Sequence, residues 1–243
     1  MTLEYDGTRY SGWQKQNNSK SIQESIIIAA KKVFEQTKGK GKFIDLQGSG
    51  RTDAGVHAYE QVAHLDCETT LAPQILKMKI NDELSSDINI IRIEKAGKNF
   101  HARHSAKSRQ YVYRISKQRT AFEKKYVWWI KDELNTNKMK LSSDIFKGFK
   151  DFKSFSDKNA VLESTKVLLD EITVEENGSI ILIRIKGSHF LWKMVRRIVG
   201  ILVEVGRGNM NEKDIIKFFE KYSNEPSKYT APPSGLFLEK VYY

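Results

Sequence analysis

The sequence predicts an α+β protein made of two fused ferredoxin-like halves, residues 1–104 and 105–243, that share a mostly antiparallel central sheet flanked by helices. Three observations lead there. The first half reads β-α-β-β-α-β, the order of a ferredoxin-like unit. From Ser108 onward strands and helices partly repeat that order. Nothing between the halves looks like a linker: the 243-residue chain has four prolines, two of them adjacent as Pro232-Pro233, and no low-complexity tract, so the halves read as fused rather than tethered.

Leu3 and Tyr5 alternate with polar neighbours as a short first strand, and Asp6-Gly7 supplies turn chemistry leading into Tyr10, Gly12 and Trp13. Ser21 and Glu24 have capping-box spacing, and Ile22, Ile26, Ala29, Ala30 and Val33 share one stripe of the helix that follows. Residues 43–46 and 61–66 read as strands joined by a glycine-rich loop over 48–58. Pro73 suits the first turn of a second helix carrying Ile75, Leu76, Met78 and Ile80, and residues 88–93 alternate as a strand. In the second half, 110–115 reads as a strand and 138–149 as a helix, and Asn177-Gly178 marks a long hairpin. An apolar helix over 191–205, a shorter one over 212–222 and a closing strand over 236–242 complete the pattern.

Lys and Arg number 41 against 30 Asp and Glu, a net charge of +11, which points to a polyanionic partner. The other reading of that charge is a lysine-rich surface with no such partner. Cys67 is the single cysteine, so an intramolecular disulfide and cysteine-built zinc sites are excluded, and a reducing cytoplasm fits. Thr2, Leu3, Glu4 and Tyr5 lack the order of a secretory signal. The apolar run over 198–205 is broken by Glu204 and falls far short of the ~20 residues that cross a bilayer, so no membrane span is expected.

The stretch Gly48-Ser49-Gly50-Arg51-Thr52-Asp53-Ala54-Gly55-Val56-His57-Ala58 sets three glycines around an arginine and an aspartate, which suits a tight backbone with charged groups at its tip. Asp53 replaces the third glycine of a dinucleotide fingerprint, and no Gly-Lys-Ser or Gly-Lys-Thr follows as in a phosphate-binding loop. Read alone, the loop also suits a turn capped by Asp53 with Arg51 as its surface partner. A glycosidase would need a second carboxylate, where this motif offers arginines. His57, His64 and Cys67 lack a fourth zinc ligand, and the zinc-deaminase pattern is absent.

The full string resembles the motif of the tRNA pseudouridine synthase A family. The likeness continues through Glu4-Tyr5-Asp6-Gly7-Thr8, Gly12-Trp13-Gln14, Phe100-His101-Ala102-Arg103, Tyr126 with Trp128 and Trp129, Asp151-Phe152, Phe190-Leu191 with Met194-Val195-Arg196, and Ala231-Pro232-Pro233. The resemblance implies the pseudouridine synthase fold with RNP-like halves, isomerisation of uridine in the tRNA anticodon stem-loop, and a homodimer whose clefts each take tRNA across both subunits. It implies that Asp53 is the nucleophile with Arg51 beside it, that Tyr111 sits against the target base, and that Arg196 pairs with the aspartate. No metal, nucleotide or organic cofactor is implied. Arg9 and Lys107 are candidate phosphate contacts. The chain departs from the family in opening inside its first strand with no basic residue ahead, and in Asn17-Asn18-Ser19-Lys20, where members often carry proline. A rival from another class is an RNA-binding protein on the same scaffold without chemistry; its sign would be a replaced aspartate or tyrosine, and both are present.

Overall fold

The computed structural model describes residues 1–37, 41–157 and 164–243. The chain divides into two compact units, Met1–Lys107 with Leu238–Tyr243, and Ser108–Phe237. Each is built on mostly antiparallel strands with helices packed against them, so the α+β expectation holds.

Along the first unit run β1 (Thr2–Tyr5), α1 (Ile22–Gln36), β2 (Gly41–Gly48), β3 (His57–Thr69), α2 (Pro73–Glu83) and β4 (Ile88–Arg92). The long β3 serves two partners in succession. Its first part pairs with β1, as in Leu3↔Gln61, and its second with β2, as in Leu46↔Leu65. β1 also pairs with β4 and is therefore an interior strand. Leu3 and Tyr5 face the core, as their alternation requires. α1 buries the expected stripe against β2 and α2. Its cap is only half of a capping box: Ser21 accepts the Glu24 N–H, while the Glu24 carboxylate pairs with Lys15 at 3.5 Å. In α2 only Leu76 and Ile80 are buried, and Ile75 and Met78 face solvent.

The second unit contains β5 (Ser108–Ser116), β6 (Trp128–Trp129), α3 (Thr136–Ser143), β7 (Gly148–Asp151), β8 (Lys166–Asn177), β9 (Ile180–Gly187), α4 (Met194–Arg207) and α5 (Glu212–Glu220). Its strand order is β5-β9-β8-β7, antiparallel throughout, with β6 added parallel to β5. The helix expected over 138–149 is shorter: α3 tightens into a 3-10 turn at Asp144–Phe146, and Phe149 lies in β7. The hairpin turns on Gly178 and Ser179, with Asn177 already paired to Ile180 and Gly178 at φ +60°. α4 begins three residues later than expected because Lys193 stands at φ +61° as its N-cap.

The last strand, β10 (Leu236–Tyr242), gives its residues from Leu238 onward to the first unit, next to β3. The Lys107 N–H donates to the Tyr242 carbonyl at 2.8 Å, and the Tyr243 hydroxyl donates to the Ala102 carbonyl at 2.8 Å. No helix of the described residues is long and apolar enough to cross a membrane.

Candidate active site

The glycine-rich loop is shorter than its sequence suggests, because Gly48 closes β2 and His57 opens β3. Residues 49–56 are nevertheless held tightly. The Ser49 N–H donates to the Val62 carbonyl at 2.7 Å and its hydroxyl to Gln61 Oε1 at 2.6 Å. Gln61 is fully buried and returns its amide to the Gly50 carbonyl at 3.1 Å. Thr52 Oγ1 and the Tyr5 hydroxyl share a hydrogen bond of 2.9 Å. Desolvation is the main reason the Tyr5 phenol is pushed up to about 12.

Two backbone bonds tie the loop to the segment after β1, from the Trp13 N–H to the Thr52 carbonyl and from the Gly55 N–H to the Tyr10 carbonyl. This approach needs glycine at position 12, where φ is +98° and a Cβ would lie 2.4 Å from the Thr52 carbonyl oxygen. A turn closes from the Val56 N–H to the Asp53 carbonyl, leaving Asp53 half-buried and Ala54 exposed. The aspartate therefore stands on a backbone with little freedom, which suits a group that must meet a substrate atom in one orientation.

Arg51 is exposed, and its Nε donates to Gln14 Oε1 at 3.2 Å. The Gln14 amide donates to Gln23 Oε1 at 2.7 Å, and the buried Gln23 donates to the Leu46 carbonyl at 2.7 Å. Side chains anchored in β2 thus aim the guanidinium. His57 is buried, and its Nδ1 lies 3.1 Å from the Gly7 N–H and 3.2 Å from the Asp6 carboxylate. His64 Nδ1 accepts a backbone N–H, from Ala102 at 3.1 Å.

In the second unit Tyr111 lies on β5, opposite Ile185 of β9, with little of its surface exposed. Phe190 packs edge-on against its ring with centroids 5.0 Å apart. Arg196 lies half-buried in the first turn of α4; its Nε donates to the Ala231 carbonyl at 2.7 Å, and the Ala231 N–H returns a bond to the Arg196 carbonyl at 3.0 Å. Burial raises the Tyr113 phenol well above its ordinary value, against an opposing pull from the Arg196 charge. Arg197 is more buried than its neighbour: its guanidinium donates to the Ser156 carbonyl and lies 3.8 Å from Asp157, and desolvation lowers its pKa ahead of the opposing effect of Asp157.

Arg9 is exposed, with a loose 4.0 Å contact to Asp87, and the Lys107 side chain is exposed. The structure therefore leaves both at the surface. Gln23, Gln61 and Arg197 were missed in the sequence. For Gln23 the signal existed, since it shares the i, i+3, i+7 stripe with Ile26 and Ala30, where a polar residue is out of place unless it has buried partners.

A family model described as tRNA pseudouridine synthase matches residues 1–105 and 143–243. Tyr111 falls between these stretches. The chain is 38% identical over 255 residues to tRNA pseudouridine synthase A of Thermodesulfovibrio yellowstonii, covering 100% of this chain and 98% of that protein. It is 35% identical over 245 residues, with the same coverage, to tRNA pseudouridine synthase A 2 of Clostridium perfringens. With the Anaplasma marginale tRNA pseudouridine synthase A it shares 36% over 247 residues, covering 99% of this chain and 98% of the relative. A family match on both sides of the Asp53 loop's own unit boundary, with full-length likeness to named members, places this chain in the tRNA pseudouridine synthase family.

Proposed function

We propose that the protein isomerises uridine to pseudouridine in tRNA, at the adjacent uridine positions of the anticodon stem-loop, with Asp53 as the nucleophile. The observation that carries this reading is the half-buried Asp53 on a loop fixed by Gln61, Thr52, Tyr5 and Gly12, inside a motif shared with the family. The relatives, named as tRNA pseudouridine synthases, support tRNA as substrate. In this reading residues 1–104 carry the aspartate loop and residues 105–243 carry Tyr111 and Arg196.

The reaction breaks the N1–C1' bond, turns the uracil and joins C5 to C1', releasing the C5 proton without net redox change. An ionised aspartate can attack C1' or uracil C6, or take the C2' proton. In this reading Arg51 is the aspartate's neighbour and Arg196 its charged partner, as the family resemblance implies. Tyr111, steadied by Phe190, packs on the base and keeps water from the detached sugar. A stacked uridine must leave its stem to reach the site, at a cost of about a few kcal/mol, and Arg9 and Lys107 hold phosphates around it. The protein acts in the cytoplasm as a homodimer that spans each tRNA with both subunits.

The test uses tRNA transcripts tritiated at uracil C5, with carbodiimide-stopped primer extension to map the product. The wild type should release tritium and give stops in the anticodon arm, and Asp53→Asn should do neither while still binding tRNA. Binding without release by the wild type would support the RNA-binding reading instead.

A further inference from the structure

Between β5 and β6 the chain makes an excursion that none of the roles above uses and that lies outside the stretches matched by the family model. It is closed at its base: β6 pairs with the end of β5, and the Ile130 N–H donates to the Ser116 carbonyl at 3.0 Å. Inside it the Glu123 N–H is capped by Thr120 Oγ1 at 3.2 Å, and a 3-10 turn runs Glu123–Lys125. The excursion is thus a shaped surface. It holds an open depression of about 600 Å³ lined by Arg119, Thr120, Ala121, Lys124, Val127 and Trp129. Phe122 beside it is 93% exposed and Trp129 is 42% exposed, with the Arg119 guanidinium 5.8 Å from the Trp129 ring centre.

We propose that this surface docks tRNA, with Phe122 and Trp129 stacking on unpaired bases while Arg119 and Lys124 hold the neighbouring phosphates. The inference rests on the reading of the protein as a tRNA enzyme. Charge selects the partner. The acids of the region are engaged, Glu123 with Arg114 and Glu176 with Lys117, whereas no carboxylate among the described residues pairs with Arg119 or Lys124. A second copy meeting this face about a two-fold axis would set those cations against their own counterparts. Polyphosphate meets them with the opposite sign, and exposed aromatic rings beside cations are the means by which proteins take unpaired bases. A ring as exposed as Phe122 adds nothing to the core and costs solubility, which a binding role explains.

The experiment measures binding of a fluorescein-labelled tRNA transcript by anisotropy across a salt series, together with tritium-release kinetics and sedimentation. Phe122→Ala should weaken binding about tenfold and lower kcat/KM by a similar factor. Arg119→Gln with Lys124→Gln should flatten the slope of log K against log salt by about 2. Lys213→Gln, an exposed control on α5, should change neither. Thermal unfolding of Phe122→Ala should match the wild type, since the side chain is outside the core. Unchanged affinity and slope in both variants, with a fully active wild type, would overturn the docking surface and leave the enzyme reading standing. A shift of Phe122→Ala from dimer to monomer would overturn it in favour of a subunit contact. A wild type that neither binds tRNA nor releases tritium would sink the enzyme reading and the docking surface with it.

Discussion

Gln23 uses both ends of its amide, accepting from the Gln14 side chain and the Lys15 N–H and donating to the Leu46 carbonyl. Gln23→Leu preserves volume and helix propensity but strands those partners in a buried place, so unfolding in urea should show a loss of about 1–3 kcal/mol. Because Gln14 also holds Arg51, tritium release by this variant should fall further than by Lys15→Ala, which removes a surface charge; equal effects would deny Arg51 its anchoring. Tyr5 offers a test by pH. Its phenol is raised from 10.0 to about 12, so the folded state keeps a proton that the unfolded chain loses first. That share of stability is complete below pH 10 and disappears as pH climbs through about 12, amounting to about 3 kcal/mol at most. Tyr5→Phe cannot titrate, and its stability relative to the wild type should rise over that window; a constant difference would mean that the phenol is not held neutral. The loop that holds Asp53 and Arg51 stood out in the sequence because its motif is contiguous. The partners that orient them did not, because Tyr5, Gln14, Gln23 and Gln61 come together only when β1, α1 and β3 do.

Among the elements, α4 is buried on nearly every face, and its tightest contact is at Gly200, where an added Cβ would lie 1.5 Å from the Tyr229 carbonyl oxygen. Helix propensity favours alanine over glycine by about 1 kcal/mol, but here the 3-10 segment Glu225–Tyr229 would have to move off the helix. Gly200→Ala should therefore lower the thermal midpoint or leave the protein insoluble, and a stabilised variant would show that the segment yields easily. Strands and helices with long regular patterns were read correctly from sequence, α1 and β10 above all. The failure at α3 is instructive: residues 138–149 contain apolar residues at helical spacing, yet Phe149 is exposed on a strand that pairs with β8. Pairing with a distant strand decided that segment over its local pattern. The two-residue β6 left no signal at all, since a parallel pair that short has no period.

For the molecule as a whole, a net charge of +11 makes electrostatics a large part of any encounter with tRNA. KM for tRNA should rise steeply with added salt while the melting temperature changes little; a salt-independent KM would place recognition in uncharged contacts instead. Charge and motif together made the substrate class readable, whereas the allocation of β10 was not, because the sequence marks a strand without saying which sheet will take it. That allocation bears on synthesis. The unit carrying the Asp53 loop is encoded first but needs Leu238–Tyr243, with Tyr243 against Phe100 and bonded to Ala102, to be whole. On the ribosome its early strands must wait, unfinished, while residues 108–237 are made. Chains stalled before residue 238 emerges should leave residues 1–107 open to protease, and chains stalled with residues 238–243 clear of the ribosome should protect them, so that the Asp53 loop is seated only after this last strand has been made.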